Sequence, residues 1–245
     1  MELRYFDTAS FYGTEDALGE AIQNNGLPRK DFFLTSKMWK NEMGYQQTKI
    51  AFSQTLERLQ TDYLDLYLIH WPLPSPDYKD WKQLDIDTWK AMEELYQEGK
   101  IRAIGLSNFL PHHIENILQN CTIPPMVNQL EFHPGYTQES AVQYCKQHNI
   151  QMQTWSPIGR ARVLKDPLLL ELAEKYQVSP AQICLKFAIQ NEIIPLPKSS
   201  SIERMKQNLD LFSFQISDED MYRLNTMPPV GWSGQHPDRP NINID

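Results

Sequence analysis

The chain has 245 residues, 41% of them hydrophobic and 22% charged, which is an ordinary composition for a globular protein. Its 23 basic and 31 acidic residues give a net charge of −8, which argues against a nucleic-acid-binding protein because such a protein needs a basic face. No apolar stretch approaches the ~20 residues of a membrane helix, and the N-terminus lacks the apolar segment of a signal peptide. Three widely spaced cysteines provide neither a disulfide framework nor a metal-ligand pair. We therefore expect a cytoplasmic protein without a metal ion, a nucleic-acid partner or a membrane partner.

Short apolar runs alternate with longer segments of helical periodicity along the whole chain. Most of these runs show no alternation of polar and apolar residues, which predicts strands buried on both faces. The predicted strands are 3–6, 32–36, 64–69, 103–106, 126–130, 151–155 and 193–196. Between them, apolar residues share one helical face within 52–59, 168–176 and 183–188. The alternation predicts parallel βα units, and because no linker divides the chain we expect one domain, 1–245, with a C-terminal loop over 228–245.

Two architectures use this alternation, an open doubly wound sheet and a closed barrel. The dinucleotide-binding signature of the open sheet, G-x-G-x-x-G after the first strand, occurs nowhere in the sequence. Polar residues instead lie at the C-terminal end of every predicted strand, as a barrel with one shared active-site mouth requires. In chain order they are Asp7, Lys37, His70, Ser107 with Asn108, Gln129 with Glu131, Trp155 with Ser156, and Lys198 with Ser199. We therefore predict a barrel.

Three segments in the first third of the chain carry a family resemblance. They are DTASFYG at 7–13, TSKMW at 35–39 and LIHWP at 68–72, and they resemble the catalytic segments of the aldo-keto reductase family. The downstream segments agree with this resemblance, namely IGLSNF at 104–109, NQLEFHP at 128–134, and PKS at 197–199 followed by Arg204 and Asn208. The resemblance covers essentially the whole chain. It is nearest to the microbial short-loop branch of 2,5-diketo-gluconic acid reductases and morphine 6-dehydrogenases.

The resemblance implies a (β/α)8 TIM barrel. Members of the family have an N-terminal hairpin and a complete first β/α unit before the strand that carries Asp7 in this sequence. We therefore expect about seven core strands, in a barrel truncated at its N-terminal side. Open strand edges expose unpaired backbone donors and acceptors. We expect a monomer for a full-length barrel and self-association through the open edge for a truncated one.

The chemistry of carbonyl reduction points to four of these residues. The reaction needs a hydride donor, a proton donor at the developing alkoxide, and groups that favour negative charge there. Tyr12 is the candidate proton donor, and a buried ammonium beside it, Lys37, would ease release of the phenolic proton. A buried lysine needs a carboxylate partner, for which Asp7 is the candidate, and His70 can orient the carbonyl. The resemblance implies the same four roles, while a purely structural Asp7–Lys37 ion pair stays open as the alternative.

The resemblance also implies NADPH or NADP⁺, bound across the barrel mouth without a glycine-rich loop. Ser107, Asn108 and Gln129 are expected to hydrogen-bond the carboxamide of the nicotinamide. Trp155 is expected to stack on the nicotinamide ring, with Ser156 beside it in the cofactor site.

The phosphate end of the cofactor is predicted after the last strand. Lys198, Ser199 and the start of the following helix supply donors and positive charge. Arg204 can bridge a 2′-phosphate, which favours NADPH over NADH. Gln207 and Asn208 are expected near the adenine. The same helix start matches a capping box from Ser200 to Glu203, which requires no ligand.

The predicted substrate is a small carbonyl compound held by aromatic side chains. Trp39 and Trp71 each follow a predicted catalytic residue within two positions and are expected to wall the pocket. Trp232 is expected to close over it from the C-terminal loop. His112 and His113, which follow Pro111, are expected to be solvated capping residues of a helix.

Three functions are therefore open at the level of sequence. The first is an NADPH-dependent aldehyde or ketone reductase. The second is a non-catalytic protein that binds a nucleotide or a partner through its open edge. The third is a lyase or aldolase that uses Lys37 or Lys198 as a Schiff-base nucleophile, which is disfavoured because the expected carboxylate partner keeps Lys37 charged.

Overall fold

The computed structural model describes residues 3–240. The described residues form two compact units, which we call the N-terminal unit (3–128 with 236–240) and the C-terminal unit (129–235). The seven strands within 3–240 are hydrogen-bonded to one another in chain order. The first three neighbouring pairs and the last pair of this order are parallel. No helix in this part of the chain is long and apolar enough to cross a membrane.

The N-terminal unit alternates strands and helices. Its elements are β1 Tyr5–Asp7, α1 Glu15–Asn24, β2 Phe33–Met38, α2 Tyr45–Leu59, β3 Leu66–Ile69, α3 Trp81–Gln97, β4 Ile104–Ser107 and α4 Pro111–Leu118. Two short 3-10 turns, Ser10–Tyr12 and Lys40–Glu42, follow β1 and β2. All four residues of β3 are buried, which explains why its sequence shows no polar alternation.

The C-terminal unit continues the same pattern. Strand β5, Val127–Glu131, crosses the boundary between the units, and the elements after it are α5 Glu139–Gln147, β6 Gln151–Trp155, α6 Pro167–Tyr176, α7 Pro180–Gln190, β7 Ile194–Leu196, α8 Ile202–Leu209 and α9 Asp218–Asn225. Phe132, which follows β5, stacks on Phe187 of α7 at a centroid distance of 5.3 Å. Both rings are buried, so this pair lies in the core of the unit.

All seven predicted strands are confirmed, with ends that differ by at most two residues. The three predicted helical faces lie in α2, α6 and α7. The predicted capping box at Ser200 is wrong, because α8 begins one residue later. Ser201 is the N-cap, and its hydroxyl accepts a hydrogen bond from the backbone N–H of Arg204.

Candidate active site

The parallel register of the N-terminal unit brings the predicted catalytic residues to one end of three neighbouring strands. Asp7 is the last residue of β1 and pairs with Thr35, two residues before Lys37. Lys37 lies opposite Leu68 of β3, and His70 directly follows that strand. Because parallel strands end at the same edge of a sheet, residues far apart in the chain meet here.

Lys37 is a fully buried cation with a carboxylate partner. Its Nζ donates a hydrogen bond to Oδ1 of Asp7 and another, at 3.0 Å, to the backbone carbonyl of Thr8. Burial alone would lower the pKa of Lys37, but the negative charge of Asp7, the electrostatic interaction with Tyr12 and the hydrogen bonds with both residues outweigh it, and the pKa lies above its ordinary value. The ammonium is therefore charged throughout the physiological range.

Tyr12 lies between this ammonium and the imidazole of His70. It ends the 3-10 turn Ser10–Tyr12, and the turn closes on Gly13, whose φ of +62° is a left-handed conformation that suits glycine. The Lys37 Nζ lies 5.1 Å from the centroid of the phenol ring, and the His70 ring contacts that phenol edge-on at 5.6 Å. Tyr12 is 46% exposed, whereas its cationic neighbour Lys37 is fully buried.

His70 is buried and neutral. Burial is the main cause that places the pKa of His70 well below its ordinary value, and the charges of Lys37 and Lys40 lower it further. The side-chain amide of Asn108 donates a hydrogen bond to the His70 carbonyl at 3.0 Å, which holds the backbone at the end of β3. A neutral imidazole in this position can donate one N–H to an incoming oxygen.

The carboxylate of Glu42 holds the turn that carries Tyr12 in place, and the sequence analysis did not predict this role. Glu42 Oε2 accepts hydrogen bonds from the Ser10 hydroxyl and from the Trp39 backbone N–H, both at 2.6 Å. The Ser10 hydroxyl also lies 3.2 Å from the Lys37 carbonyl. Glu42 therefore ties the turn after β1 to the segment after β2. No local pattern in the sequence indicates this, because Ser10 and Glu42 are 32 residues apart.

Two of the three tryptophans predicted to hold substrate lie in the N-terminal unit. Trp39 stacks on Phe11 at a centroid distance of 3.9 Å and meets the His70 ring edge-on at 5.0 Å. Trp39 and Trp71 are both buried, so they can line a pocket only through a small part of their surface. Trp232 belongs to the C-terminal unit, where it is 44% exposed and its Nε1 donates a hydrogen bond to the Gln235 carbonyl.

The residues predicted to bind the carboxamide are buried. Ser107 ends β4, and Asn108 follows it with a φ of +63° and donates a hydrogen bond to the Ser107 hydroxyl at 3.2 Å. Gln129 lies within β5 rather than at its end, which corrects its predicted place, and its amide donates to Gln153 of β6 at 3.1 Å. All three side chains are thus held by the strands before any ligand binds.

The remaining predicted cofactor residues lie along the second half of the C-terminal unit. Trp155 ends β6 and is partly exposed, with the Arg160 guanidinium 5.8 Å from its ring centroid, and Ser156 follows it with a φ of +50°. Lys198 and Ser199 lie between β7 and α8, whereas the last three residues lie on α8 itself, namely Arg204, Gln207 and Asn208.

The expectation that both His112 and His113 are solvated is wrong for His113. His112 is exposed, but His113 is buried, and its Nδ1 accepts a hydrogen bond from the Leu110 backbone N–H at 3.1 Å. Burial, aided by the charge of His112, lowers the pKa of His113 to about 3. Both histidines place Nε2 about 3 Å from Oδ1 of Asp238. Because Nδ1 of His113 accepts a hydrogen bond, the proton of the neutral ring is on Nε2, and this nitrogen cannot ligate a metal ion while it carries that proton.

Comparison with known proteins decides the family. Residues 2–227 match the Aldo/keto reductase family. Over 235 residues, the chain is 44% identical to the glyoxal reductase of Bacillus subtilis (strain 168), an alignment that covers 96% of this chain and 82% of the relative. The chain belongs to the aldo/keto reductase family.

Solved structures of aldo/keto reductases have the same fold. MGS-M4, an aldo-keto reductase from a deep-sea metagenome library of the Medee basin, matches 98% of this chain and 86% of its own with a TM-score of 0.90 and 36% identity. A Bombyx mori aldo-keto reductase in complex with NADP matches 97% of this chain and 84% of its own, with a TM-score of 0.86 and 35% identity. The predicted fold class, a (β/α)8 barrel represented here by seven strands, is confirmed.

The donor set after β7 fits the phosphates of a dinucleotide used by aldo/keto reductases. Lys198 and Arg204 are exposed cations that flank the start of α8, and Ser201 caps that helix. The Ser199 hydroxyl bonds with the backbone of Ser201 at 3.2 Å, which holds this short segment in a defined conformation. Positive charge and a capped helix start are the features that bind phosphate groups.

Proposed function

We propose that this chain reduces aldehydes and ketones to alcohols with NADPH, using Tyr12 as the proton donor. The observation that carries the proposal is the contact of the fully buried Lys37 ammonium with both the Asp7 carboxylate and the Tyr12 ring. An ion pair with only a structural role could lie at the surface. It would not require a completely buried lysine beside a half-exposed phenol. This arrangement is suited to a phenol that gives up its proton to a substrate.

The proposed steps follow from the charge states of the four residues. The neutral His70 donates a ring N–H to the substrate carbonyl oxygen, which orients the carbonyl beside Tyr12. When the carbonyl carbon receives a hydride, its oxygen gains negative charge, and the Tyr12 hydroxyl transfers its proton to that oxygen. The Lys37 ammonium favours the phenolate that remains, and Asp7 keeps Lys37 charged despite its burial. The product is the neutral alcohol.

NADPH, when bound, supplies the hydride. We propose that Ser107, Asn108 and Gln129 hydrogen-bond its carboxamide and that Trp155 stacks on the nicotinamide, with Ser156 beside it. The phosphates would be held by Lys198 and Ser199, and Arg204 would pair with the 2′-phosphate of NADPH, a group that NADH lacks. Gln207 and Asn208 would lie near the adenine.

The test is NADPH oxidation by the purified chain with a panel of small aldehydes and ketones. We expect the wild-type protein to consume NADPH, and the Tyr12→Phe variant to lose roughly 100- to 10,000-fold in kcat, because phenylalanine lacks the hydroxyl that carries the transferable proton. Tyr222→Phe is the matched control, since Tyr222 is 70% exposed on α9 and has no proposed role. NADPH binding, followed by protein fluorescence, should survive both substitutions.

Two outcomes would contradict the proposal. A folded wild-type protein that leaves every carbonyl of the panel unreduced would favour the non-catalytic nucleotide-binding function, provided that it still binds NADPH. A Tyr12→Phe variant as active as the wild-type protein would show that another group donates the proton.

A further inference from the structure

The turn that carries Tyr12 is short and has little stability of its own. None of its three residues, Ser10–Tyr12, is buried, and Phe11 and Tyr12 are 47% and 46% exposed. A 3-10 turn has poorer hydrogen-bond geometry than an α-helix, and Ala9 before it carries no polar group that could cap it. The position of the Tyr12 phenol therefore depends on contacts with residues outside the turn.

Glu42 joins this turn to the segment after β2 through a single carboxylate oxygen. Its Oε2 accepts the hydrogen bonds of the Ser10 hydroxyl and the Trp39 backbone N–H, both at 2.6 Å. Hydrogen bonds to an ionised acceptor are shorter and about twice as strong as those between neutral groups. One oxygen atom therefore fixes the first residue of the turn relative to the residue that follows β2.

The groups expected to act on the carbonyl belong to the two segments that Glu42 joins or contact them. The Phe11 ring stacks on Trp39 at a centroid distance of 3.9 Å. The imidazole of His70 meets Trp39 edge-on at 5.0 Å and Tyr12 edge-on at 5.6 Å. A shift of the turn relative to Trp39 would therefore move the phenol relative to the imidazole.

We propose that Glu42 is a positioning residue for the proton transfer, because it holds the Tyr12 phenol beside Lys37 and His70. The proposal rests on the proposed function, since Glu42 acts through Tyr12 and has no part in the chemistry itself. A proton donor must lie within hydrogen-bond reach of the oxygen that it protonates. A misplacement of about 1 Å can slow such a step about 100-fold.

The experiment measures a single turnover, so that product release does not mask the chemical step. Protein loaded with NADPH is mixed with the carbonyl compound that the wild-type protein reduces fastest, and the rate constant of NADPH oxidation is recorded. We expect this rate constant to fall about 10- to 100-fold in Glu42→Met, which has no strong acceptor. Glu42→Gln should restore most of the rate, because its carbonyl oxygen can accept both hydrogen bonds. NADPH affinity should stay unchanged, since none of the residues proposed to bind NADPH lies in either segment.

Glu93→Met is the matched control. Glu93 of α3 also uses one carboxylate oxygen, Oε1, to accept two hydrogen bonds of 2.6 Å, from the backbone N–H groups of Thr122 and Ile123. Its replacement removes the same kind of contact from the N-terminal unit without touching the turn that carries Tyr12. Glu93→Met should lower the stability to urea while the folded protein keeps the wild-type single-turnover rate constant.

Two further variants test whether Glu42 acts through Tyr12. In a Tyr12→Phe background, Glu42→Met should change the residual rate constant by less than about threefold, because the group to be positioned is gone. Ser10→Ala removes one of the two hydrogen bonds and should lower the wild-type rate constant about tenfold. Ser10→Ala keeps the test decisive if Glu42→Met does not fold.

The outcomes separate this proposal from the proposed function. If Tyr12→Phe loses activity but Glu42→Met, or Ser10→Ala in its place, keeps the wild-type rate constant, the role of Glu42 is wrong while carbonyl reduction stands. The role of Glu42 is also wrong if Glu93→Met slows the turnover equally, or if Glu42→Met slows Tyr12→Phe by its full factor. If the wild-type protein oxidises NADPH with no carbonyl compound, both proposals are wrong.

Discussion

At the scale of single residues, the site depends on how buried charges are balanced. Lys37 is fully buried, and the Asp7 carboxylate with which it pairs has 15% of its side chain exposed. A buried cation without a partner is strongly unfavourable, so Asp7 is needed for the fold as well as for the proposed chemistry. The raised pKa of Lys37 also argues against a Schiff-base function for this lysine, because that reaction requires the neutral amine.

Replacement of Asp7 by asparagine should destabilise the fold by about 3 kcal/mol or more at pH 7, because it leaves the Lys37 ammonium buried without its counter-charge. The measurement is urea unfolding followed by circular dichroism. Glu98→Gln is the control, since it removes the carboxylate of the exposed Lys100–Glu98 pair and should cost nothing measurable. Equal stability of Asp7→Asn and the wild-type protein would refute this account of the ion pair.

The direction in which stability and activity depend on pH follows from the pKa of Lys37. The pKa of Lys37 is raised on folding, so its contribution to stability is complete below the unfolded value near 10.5 and is lost as pH rises through the higher folded value. In Asp7→Asn the effect of burial remains while the carboxylate charge is gone, so the pKa of Lys37 falls. Any activity that remains should therefore be lost at a lower pH on the basic side of its profile than in the wild-type protein.

At the scale of elements, the strands of the N-terminal unit are packed too closely for side chains at some positions. Gly105 lies in β4, and a Cβ built on it would lie 2.6 Å from the Val127 carbonyl oxygen and 2.8 Å from a methyl group of Leu68. Backbone atoms of a neighbouring strand cannot move away without breaking the ladder of hydrogen bonds. A glycine in the middle of this strand is therefore a requirement of packing.

Gly105→Ala should lower the free energy of unfolding by at least about 2 kcal/mol, because the added methyl group overlaps the backbone of β5. Thermal and urea unfolding of the variant measure this loss. Gly26→Ala serves as the comparison, since a Cβ there meets no atom within 4 Å and only the φ of +80° disfavours it. The smaller loss expected for Gly26→Ala is about 1 kcal/mol. A Gly105→Ala protein as stable as Gly26→Ala would contradict the close approach of β4 and β5.

At the scale of the whole molecule, the chain returns to the N-terminal unit after completing the C-terminal unit. Residues 236–240 belong to the N-terminal unit. Within it, His112 and His113 of α4 both place Nε2 about 3 Å from Oδ1 of Asp238. His113 is neutral in the fold, and its Nε2 lies 3.0 Å from Oδ1 of Asp238. This contact joins the C-terminal segment to the start of α4.

Asp238→Ala should release this segment, because it removes the carboxylate that lies about 3 Å from both imidazoles and is hydrogen-bonded to His112. We expect amide hydrogen exchange within 236–240 to accelerate about tenfold, while the strands keep their protection. Asp87→Ala is a suitable control, since the Asp87 carboxylate accepts a hydrogen bond from Gln83 within the same helix, α3. Unchanged exchange at 236–240 in Asp238→Ala would mean that other contacts hold the segment.

The order of residues along the chain was sufficient to predict the seven strands, the fold class and the four candidate catalytic residues. Buried parallel strands are short apolar runs, which need no knowledge of distant residues, and the end of each strand marks where functional groups lie. The pairing of Lys37 with Asp7 followed from the general cost of burying an unpaired ammonium.

Only the tertiary structure decided the burial of Lys40 and His113, the fastening of Ser10 by Glu42, and the choice of Ser201 over Ser200 as the cap of α8. The first three depend on contacts between residues that are far apart in the chain. The last depends on which of two adjacent serines has the backbone conformation of an N-cap. Composition and periodicity report the average environment of a segment. They carry no information about which individual side chain is enclosed by its neighbours.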